Sequence, residues 1–393
     1  MKNIILFIIL ALLSSGPSFG GQTGELRVQF MDVGEGDAIL VKTPSGKTLL
    51  IDGGNSGKEE VIRNYLNKSG IKERIDMIIL SHPLEDHVGG LVGIIEDLDI
   101  GSIYDPGMPL STYIYEKFLE LIMTKQDQYG ETGSSENKLS DVLAKKMHYE
   151  FFNPKAGDIL SLDPDCELAV LSPRMLFHNT RSDPNNNSLV VKLVYNQVSF
   201  LFPGDVELDA EKYLITQGSK ISATFLKVPN HGSPNSSSLP FINLVKPKVS
   251  VISAGKDNPY GYPSLQILER LKKAGSKIYR TDLNGSILVT SDGNRYTVEP
   301  EKATEDTFIV AQTYSVQKTN ASDENQTVSE KKININSATA DDLIDIPGVG
   351  AFKAQMIVRY REKNGNFKSP EDLEKVPGLN KAIVDKLKEK ISF

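Results

Sequence analysis

Cysteine is nearly absent from this 393-residue sequence, where Cys166 stands alone. A single thiol excludes an intrachain disulfide, so the fold must hold itself together by burial. Cys166, in Asp163-Pro164-Asp165-Cys166, is also the only soft metal ligand, and without a partner it reads as a buried structural thiol. A strong charge of one sign is lacking as well. The net charge is −7, which does not by itself suggest nucleic acid. The balance is uneven, however: residues 332–393 carry 11 Lys/Arg against 9 Asp/Glu, a net of +2, so the remainder carries −9. Long apolar runs are missing beyond the N-terminus, and no other stretch could span a bilayer. With 39% hydrophobic and 24% charged residues, the chain suits a soluble globular protein of two to three domains.

What is present begins at the N-terminus. Lys2 precedes an apolar run from Ile4 to Leu13, then Ser14-Ser15-Gly16-Pro17 and Ser18-Phe19-Gly20. This is the plan of a secretory signal. It predicts a signal peptide over residues 1–20, cleavage near Gly20 and a secreted or extracytoplasmic protein; the alternative is a retained N-terminal anchor. From residue 25 to residue 299, β-rich runs alternate with amphipathic helical spacing. Leu26–Phe30, Ala38–Val41, Thr48–Ile51, Met77–Leu80, Leu189–Val194, Ser199–Phe202, Phe225–Val228 and Val249–Ile252 read as strands. Glu59–Leu66 and Leu265–Ala274 read as helices. Asp282-Leu283-Asn284-Gly285 reads as a hairpin turn, and Ser111–Met147 as an inserted, lid-like helical segment broken near Gly130. The expected architecture is packed α/β layers. Residues 300–331 turn polar and read as a flexible linker, leaving 332–393 as a small C-terminal domain.

Histidine is scarce, five residues in all, yet His82, His87 and His231 lie in motifs. Ser81-His82-Pro83-Leu84-Glu85-Asp86-His87-Val88-Gly89-Gly90 follows a buried strand. Two imidazoles and a carboxylate within six residues suit a borderline divalent ion, Zn or Mn. This stretch resembles the HxHxDH signature of metallo-β-lactamase-fold hydrolases, and its variant form is similar to the C-terminal domain of competence protein ComEC. Further segments carry the likeness in order: Phe30–Ala38, with Glu35 where Gln is usual; Leu50-Ile51-Asp52-Gly53-Gly54; Asn186–Val191; Phe202-Pro203-Gly204-Asp205; Lys227–Ser233; and Asn258–Ser264. The resemblance spans Leu26–Val298 and implies an αββα sandwich. It also implies a metal site of His82, Asp86, His87, Asp205 and His231, with Asp86 and His231 in catalytic roles, and metal-dependent cleavage of a phosphodiester. Three positions depart from the pattern. Leu84 takes the second His position of the signature, Asn230 the first His of a His-His-Gly-Ser motif, and Tyr262 the His of Gly-His-Pro. The expectation is therefore one tight ion, with a second weak or absent. Asp32, Asp37 and Asp52 read as supporting or turn residues, and His148 and His178 as surface or loop imidazoles.

The C-terminal segment pairs two helix–turn–helix units around Ile346-Pro347-Gly348-Val349-Gly350 and Val376-Pro377-Gly378-Leu379-Asn380. Such turns present backbone N–H groups at a helix N-terminus, where phosphate binds. The segment resembles the DNA-binding region of competence protein ComEA through Asn334-Ile335-Asn336-Ser337-Ala338 and Tyr360–Phe367. The resemblance implies a small all-α tandem helix-hairpin-helix domain. Gly348, Val349, Gly350, Lys353, Gly378 and Lys381 are its candidate contacts to double-stranded DNA without sequence preference. The alternative is a helical module that does not touch DNA. The leading expectation for the whole chain is a monomeric, extracytoplasmic, DNA-binding metallo-hydrolase connected with DNA uptake or scavenging. The alternatives are a DNA-binding receptor with a degenerate site, and a small-molecule hydrolase of lactonase or phosphodiesterase type.

Overall fold

The computed structural model describes residues 24–130, 150–303, 314–315 and 332–338, with individual positions from 343 to 393. Period-two alternation in the β-rich segments builds two sheets. The first runs β16-β15-β14-β1-β2-β3-β4-β5-β6. Its strands are β1 (Leu26–Phe30), β2 (Ile39–Lys42), β3 (Thr48–Ile51), β4 (Arg74–Ile79), β5 (Asp99–Tyr104), β6 (Glu150–Phe152), β14 (Ile287–Ser291), β15 (Arg295–Pro300) and β16 (Tyr314–Ser315). The second runs β13-β12-β11-β10-β9-β8-β7. It comprises β7 (Ile159–Asp163), β8 (Cys166–Ser172), β9 (Val190–Tyr195), β10 (Val198–Phe202), β11 (Phe225–Lys227), β12 (Val249–Ile252) and β13 (Lys277–Arg280).

Each strand sends alternate residues to opposite layers. Leu26, Val28, Phe30, Ile39, Val41, Leu49 and Ile51 meet Val191, Leu193, Phe200, Phe225 and Val251 in the core between the sheets. A column of rings crosses it, with centroids 6.0 Å apart for Phe202–Phe200, 4.5 Å for Phe200–Phe225 and 4.7 Å for Phe225–Tyr296. Leu40 and Leu50 point the other way, onto helices α1 (Glu59–Lys68), α2 (Glu85–Asp97) and α3 (Tyr113–Gly130). On the far side, Leu201, Leu226 and Ile252 pack against the helices Leu208–Ile215, Leu239–Val245 and Leu265–Lys273. The result is helix–sheet–sheet–helix layering, the αββα architecture expected from the sequence.

One expectation changes. Asp282–Gly285 is not a hairpin turn: Thr281–Asn284 forms one helical turn. The strands it joins belong to different sheets, since β13 pairs in parallel with β12 while β14 pairs with β1. The turn is held by Asn284 Oδ1, which accepts from the Arg280 N–H at 2.9 Å, and by an Arg280–Asp282 ion pair. Of the lid-like segment Ser111–Met147, the described part, α3, packs beside α2 with Tyr115, Phe118 and Ile122 in the outer apolar cluster. Residues 131–149, including His148, lie outside the described residues. Cys166 is buried, and its thiol is pushed up to about 12, chiefly by burial and then by Asp163 and Asp165.

Close approach explains two glycines of the histidine motif. Both lie in α2, where it crosses the loop after β3. A Cβ on Gly89 would come 2.2 Å from the Ser56 amide nitrogen, and one on Gly90 would come 2.2 Å from the Gly53 carbonyl oxygen. Gly→Ala in a helix ordinarily gains about 1 kcal/mol. Here the clash is with backbone, so Gly89→Ala is expected to cost about 3 kcal/mol. Thermal unfolding of the variant checks this; an unchanged or raised midpoint would refute it.

The C-terminal module has its own apolar core, including Ile335, Leu343, Ile357, Phe367, Leu373, Leu387 and Ile391. Ser369 and Asp372 form a capping box on the helix Pro370–Leu373. The module is not wholly helical, because Ile333–Asn334 pairs in parallel with Ile391–Ser392. That pairing ties the two ends of the module, and Arg361 Nη1, midway along it, donates to the Ile335 carbonyl at 2.7 Å. Gly348, Val349, Gly350, Lys353, Gly378 and Lys381 lie outside the described residues, as do residues 1–23 and most of the linker. Among the described residues, no helix is long and apolar enough to cross a membrane.

Candidate metal centre

The parallel strands β3, β4, β10, β11 and β12 end on one side of the sandwich, and their following loops converge there. Asp52 follows β3, His82 follows β4, and Asp86 and His87 open α2. Asp205 follows β10, Lys227 ends β11, and His231 lies in the next loop. Donor atoms of Asp86, His87, Asp205 and His231 all lie within 4.8 Å of one another. His231 Nε2 is 3.1 Å from Asp205 Oδ2 and 3.3 Å from Asp86 Oδ2. His87 Nε2 is 3.4 Å from Asp205 Oδ2 and 3.6 Å from Asp86 Oδ2. Neither nitrogen has a hydrogen-bond partner, although both are buried.

The imidazoles are aimed by their other nitrogens. Asp52 Oδ2 contacts His87 Nδ1 at 2.9 Å, and Asp52 is itself fixed by the Ser81 amide and hydroxyl, each at 2.7 Å. The Ser253 carbonyl lies 3.0 Å from His231 Nδ1. A hydrogen bond at Nδ1 leaves the Nε2 lone pair free to bind a cation. Asp52, Asn230 and His231 have φ of 56°, 48° and 53°, the left-handed region that non-glycine residues enter at a cost. That strain sits at the carboxylate that aims His87 and at the segment that carries His231.

His82 stands apart from the four-residue cluster. Its ring centroid is 4.1 Å from that of His87, and its Nδ1 contacts Ser81 Oγ at 3.0 Å. Its Nε2 is buried with no hydrogen-bond partner. Burial, with His87 next, lowers its pKa to about 3, so its ring is neutral.

Lys227 was not singled out from the sequence. Its side chain is fully buried, with Nζ against Asp37 Oδ2 and 3.5 Å from Asp205 Oδ1. Burial opposes the ammonium, yet Asp37 and Asp205 outweigh it and raise its pKa. The signal was there: a lone lysine in the otherwise apolar run Phe225-Leu226-Lys227-Val228. Asp37 and Asp52 also approach His87 as a second acidic group, but this group already has the Lys227 cation within it. Asp32 accepts from the Gly34 amide at 3.2 Å and closes a turn.

Two departures from the histidine pattern now have positions. Asn230 donates from Nδ2 to Glu207 Oε1 at 3.3 Å, while its backbone N–H donates to Asp205 Oδ1 at 3.1 Å. Tyr262 accepts from Ser233 Oγ at 3.1 Å. Neither side chain joins the cluster. Glu35, at the rim, has its pKa raised chiefly by burial, against the opposing pull of His231.

The electrostatics state what is missing. Asp37, Asp205 and Asp52 act on one lysine ammonium, and Asp86 adds a fourth carboxylate beside His87 and His231. Burial disfavours charge on His231, but Asp205 and Asp86 outweigh it and push its pKa up to about 10. Burial is likewise outweighed at His87, where Asp205, Asp86 and Asp52 hold the pKa well above the usual imidazole range. A divalent cation would relieve the same excess charge. Three inward, unpartnered imidazole nitrogens and two carboxylates form a nitrogen–oxygen donor set that fits a borderline divalent ion.

Residues 31–256 match the Metallo-beta-lactamase superfamily, and residues 328–392 match the Helix-hairpin-helix motif. ComE operon protein 3 of Bacillus subtilis (strain 168) is 29% identical over 303 residues, covering 72% of this chain and 34% of that protein. Competence protein ComA of Neisseria gonorrhoeae is 27% identical over 264 residues, covering 67% of this chain and 32% of that protein. The chain thus spans about a third of the length of these relatives. At the C-terminus, ComE operon protein 1 of Bacillus subtilis (strain 168) is 45% identical over 60 residues, covering 15% of this chain and 29% of that protein. Among solved structures, a diphosphatase from the PhnP family superposes with a TM-score of 0.36 at 12% identity, covering 68% of this chain and 98% of that chain.

Proposed function

Because this chain belongs to the metallo-beta-lactamase superfamily and carries a helix-hairpin-helix motif beside that fold, we propose that it is a metal-dependent hydrolase of DNA phosphodiesters. It works outside the cytoplasm in DNA uptake or scavenging, and its C-terminal module holds duplex DNA without sequence preference. The observation that carries the proposal is the convergence of Asp86, His87, Asp205 and His231 within 4.8 Å, with buried imidazole nitrogens that no protein group satisfies.

In this reading His87, His231, Asp86 and Asp205 hold one Zn or Mn ion, with His82 Nε2 adjacent. The ion supplies Lewis acidity and a lowered pKa for bound water. Asp52 and the Ser253 carbonyl keep their imidazoles in the ligating tautomer. Lys227 already supplies a positive charge between Asp37 and Asp205, so one ion per chain is expected. Asp86 is the exposed member of the set, with 30% of its side chain open against 6% or less for the others. The substrate phosphate therefore approaches over Asp86, where that carboxylate and His231 flank the reacting group. Helix-hairpin-helix backbone amides would position the duplex through phosphate contacts, which weaken steeply with salt.

Metal analysis and nuclease assays on the full chain test this reading. About one ion per chain and cleavage that rises with added Mn or Zn are expected. Removing residues 304–393 is expected to weaken duplex binding at least tenfold at low salt while leaving the metal content unchanged. Duplex binding that survives this truncation would refute the assignment of DNA holding to the C-terminal module. Absence of hydrolysis with every divalent ion would leave a DNA-binding protein on a hydrolase scaffold.

A further inference from the structure

Beside the metal centre the loop after β12 carries two aromatic rings that contribute to none of the apolar clusters. Tyr260 and Tyr262 have ring centroids 5.6 Å apart and planes within 22° of parallel. Tyr260 is 68% exposed. Burying such a ring would be favourable, and here it stands in solvent. The ring it stacks on, Tyr262, is held by hydrogen bonds. Asn258 clamps the Tyr262 backbone from both sides, donating to its carbonyl at 2.5 Å and accepting from its N–H at 2.9 Å. The next turn is tied to the His231 loop, because the Ser264 N–H donates to the Gly232 carbonyl at 3.0 Å. Ser233, two residues from His231, donates to the Tyr262 hydroxyl at 3.1 Å. The ring pair is thus fastened to the segment that supplies a candidate metal ligand.

From this placement we infer that Tyr260, backed by Tyr262, is a stacking platform for an unpaired nucleobase of the strand being cleaved. The inference rests on the phosphodiesterase reading and adds strand preference to it. A two-ring stack with one free face accepts a third flat ring, and a nucleobase is the flat ring attached to a phosphodiester. Stacking on aromatic side chains is indifferent to sequence. It is not indifferent to strandedness: in a duplex both faces of each base are already covered, so only a single strand or a frayed end can offer one. The helix-hairpin-helix module would hold the duplex while the metal centre takes a released single strand.

The test uses the full chain and three substrates: a short single strand, the same strand made abasic, and the duplex. Wild type is expected to show a KM about ten- to a hundredfold lower for the base-bearing strand than for the abasic one, the usual worth of one stacked base. Tyr260→Ala should bring that ratio close to one, and Tyr260→Phe should keep it. A ratio near one in wild type, or one unchanged in Tyr260→Ala, overturns the inference. Stacking is also read without turnover. In the Asp86→Ala background, a single strand carrying 2-aminopurine should lose fluorescence on binding, and the further Tyr260→Ala change should abolish that loss. A quench that survives Tyr260→Ala also overturns the inference. If no metal supports hydrolysis but the Tyr260-dependent quench persists, the hydrolase reading fails while the base-stacking site stands.

Discussion

Asp86→Ala is expected to remove at least about a thousandfold of nuclease activity, or ~4 kcal/mol of transition-state stabilisation, while the fold stays intact. The separation of effects follows from the position of the side chain. Asp86 sits in the first turn of α2 and is the most exposed of the four clustered groups. Its structural duty is carried by its backbone, whose carbonyl accepts from the Asp37 N–H at 3.2 Å, and this survives truncation. The carboxylate itself meets only imidazoles. Burial opposes its ionisation, but His87 and His231 outweigh it and hold its pKa well below the ordinary carboxylate range. Removing it deletes a ligand and a negative charge without opening a cavity in any apolar layer. Steady-state kinetics, metal content and the melting midpoint measured on one preparation check the prediction. Equal activity in wild type and variant would end the enzymatic reading. Lost activity with a collapsed midpoint would show that Asp86 is structural.

Lys227→Met should give the largest loss of stability, about 3–5 kcal/mol in the metal-free protein. The ammonium is fully buried between Asp37 and Asp205. Methionine keeps the stem but strips the buried Asp37 carboxylate of its ammonium partner and leaves Asp205 with only its imidazole neighbours. For a domain of this size the loss is roughly a 6–20 °C fall in melting midpoint. A divalent cation should restore part of it, because a ligand that binds only the folded state adds stability that grows with the logarithm of its concentration over its Kd. Asp37→Asn in the Lys227→Met background should recover part of the stability without metal, by removing one of the stranded charges. A midpoint unchanged in Lys227→Met would show that Asp37 and Asp205 bind protons or water in the absence of the ammonium.

Much of the site was legible in the sequence because its residues fall in short segments at strand ends. His82, Asp86 and His87 share one turn, and Asp205 and His231 follow their own strands, so the order of motifs in the chain announced the fold. Less legible were the residues whose meaning depends on register across the sheets. Lys227 looks like any strand lysine until β11 is placed beside β10 and its side chain is seen to turn toward Asp205. Asp282–Gly285 carries the composition of a hairpin turn, and only the assignment of β13 and β14 to separate sheets makes it a crossover. Gly89 and Gly90 declared a need for small residues, but not that the need arises from the backbone of residues 53–56. His82 was grouped with the ligands by its place in the motif, and the motif does not report that its ring packs against that of His87, centroids 4.1 Å apart, outside the four-residue cluster.

The candidate metal centre draws its groups from both sheets: Asp86 and His87 follow the first, and Asp205 and His231 follow the second. An ion held by all four would therefore act as a rivet across the mouth of the sandwich, and its affinity would depend on the spacing of the layers it joins. Linkage then makes the dependence mutual. A cavity cut far from the ion, such as Phe200→Ala in the ring column between the sheets, should weaken metal binding, and chelation should quicken amide exchange where β4 and β10 end.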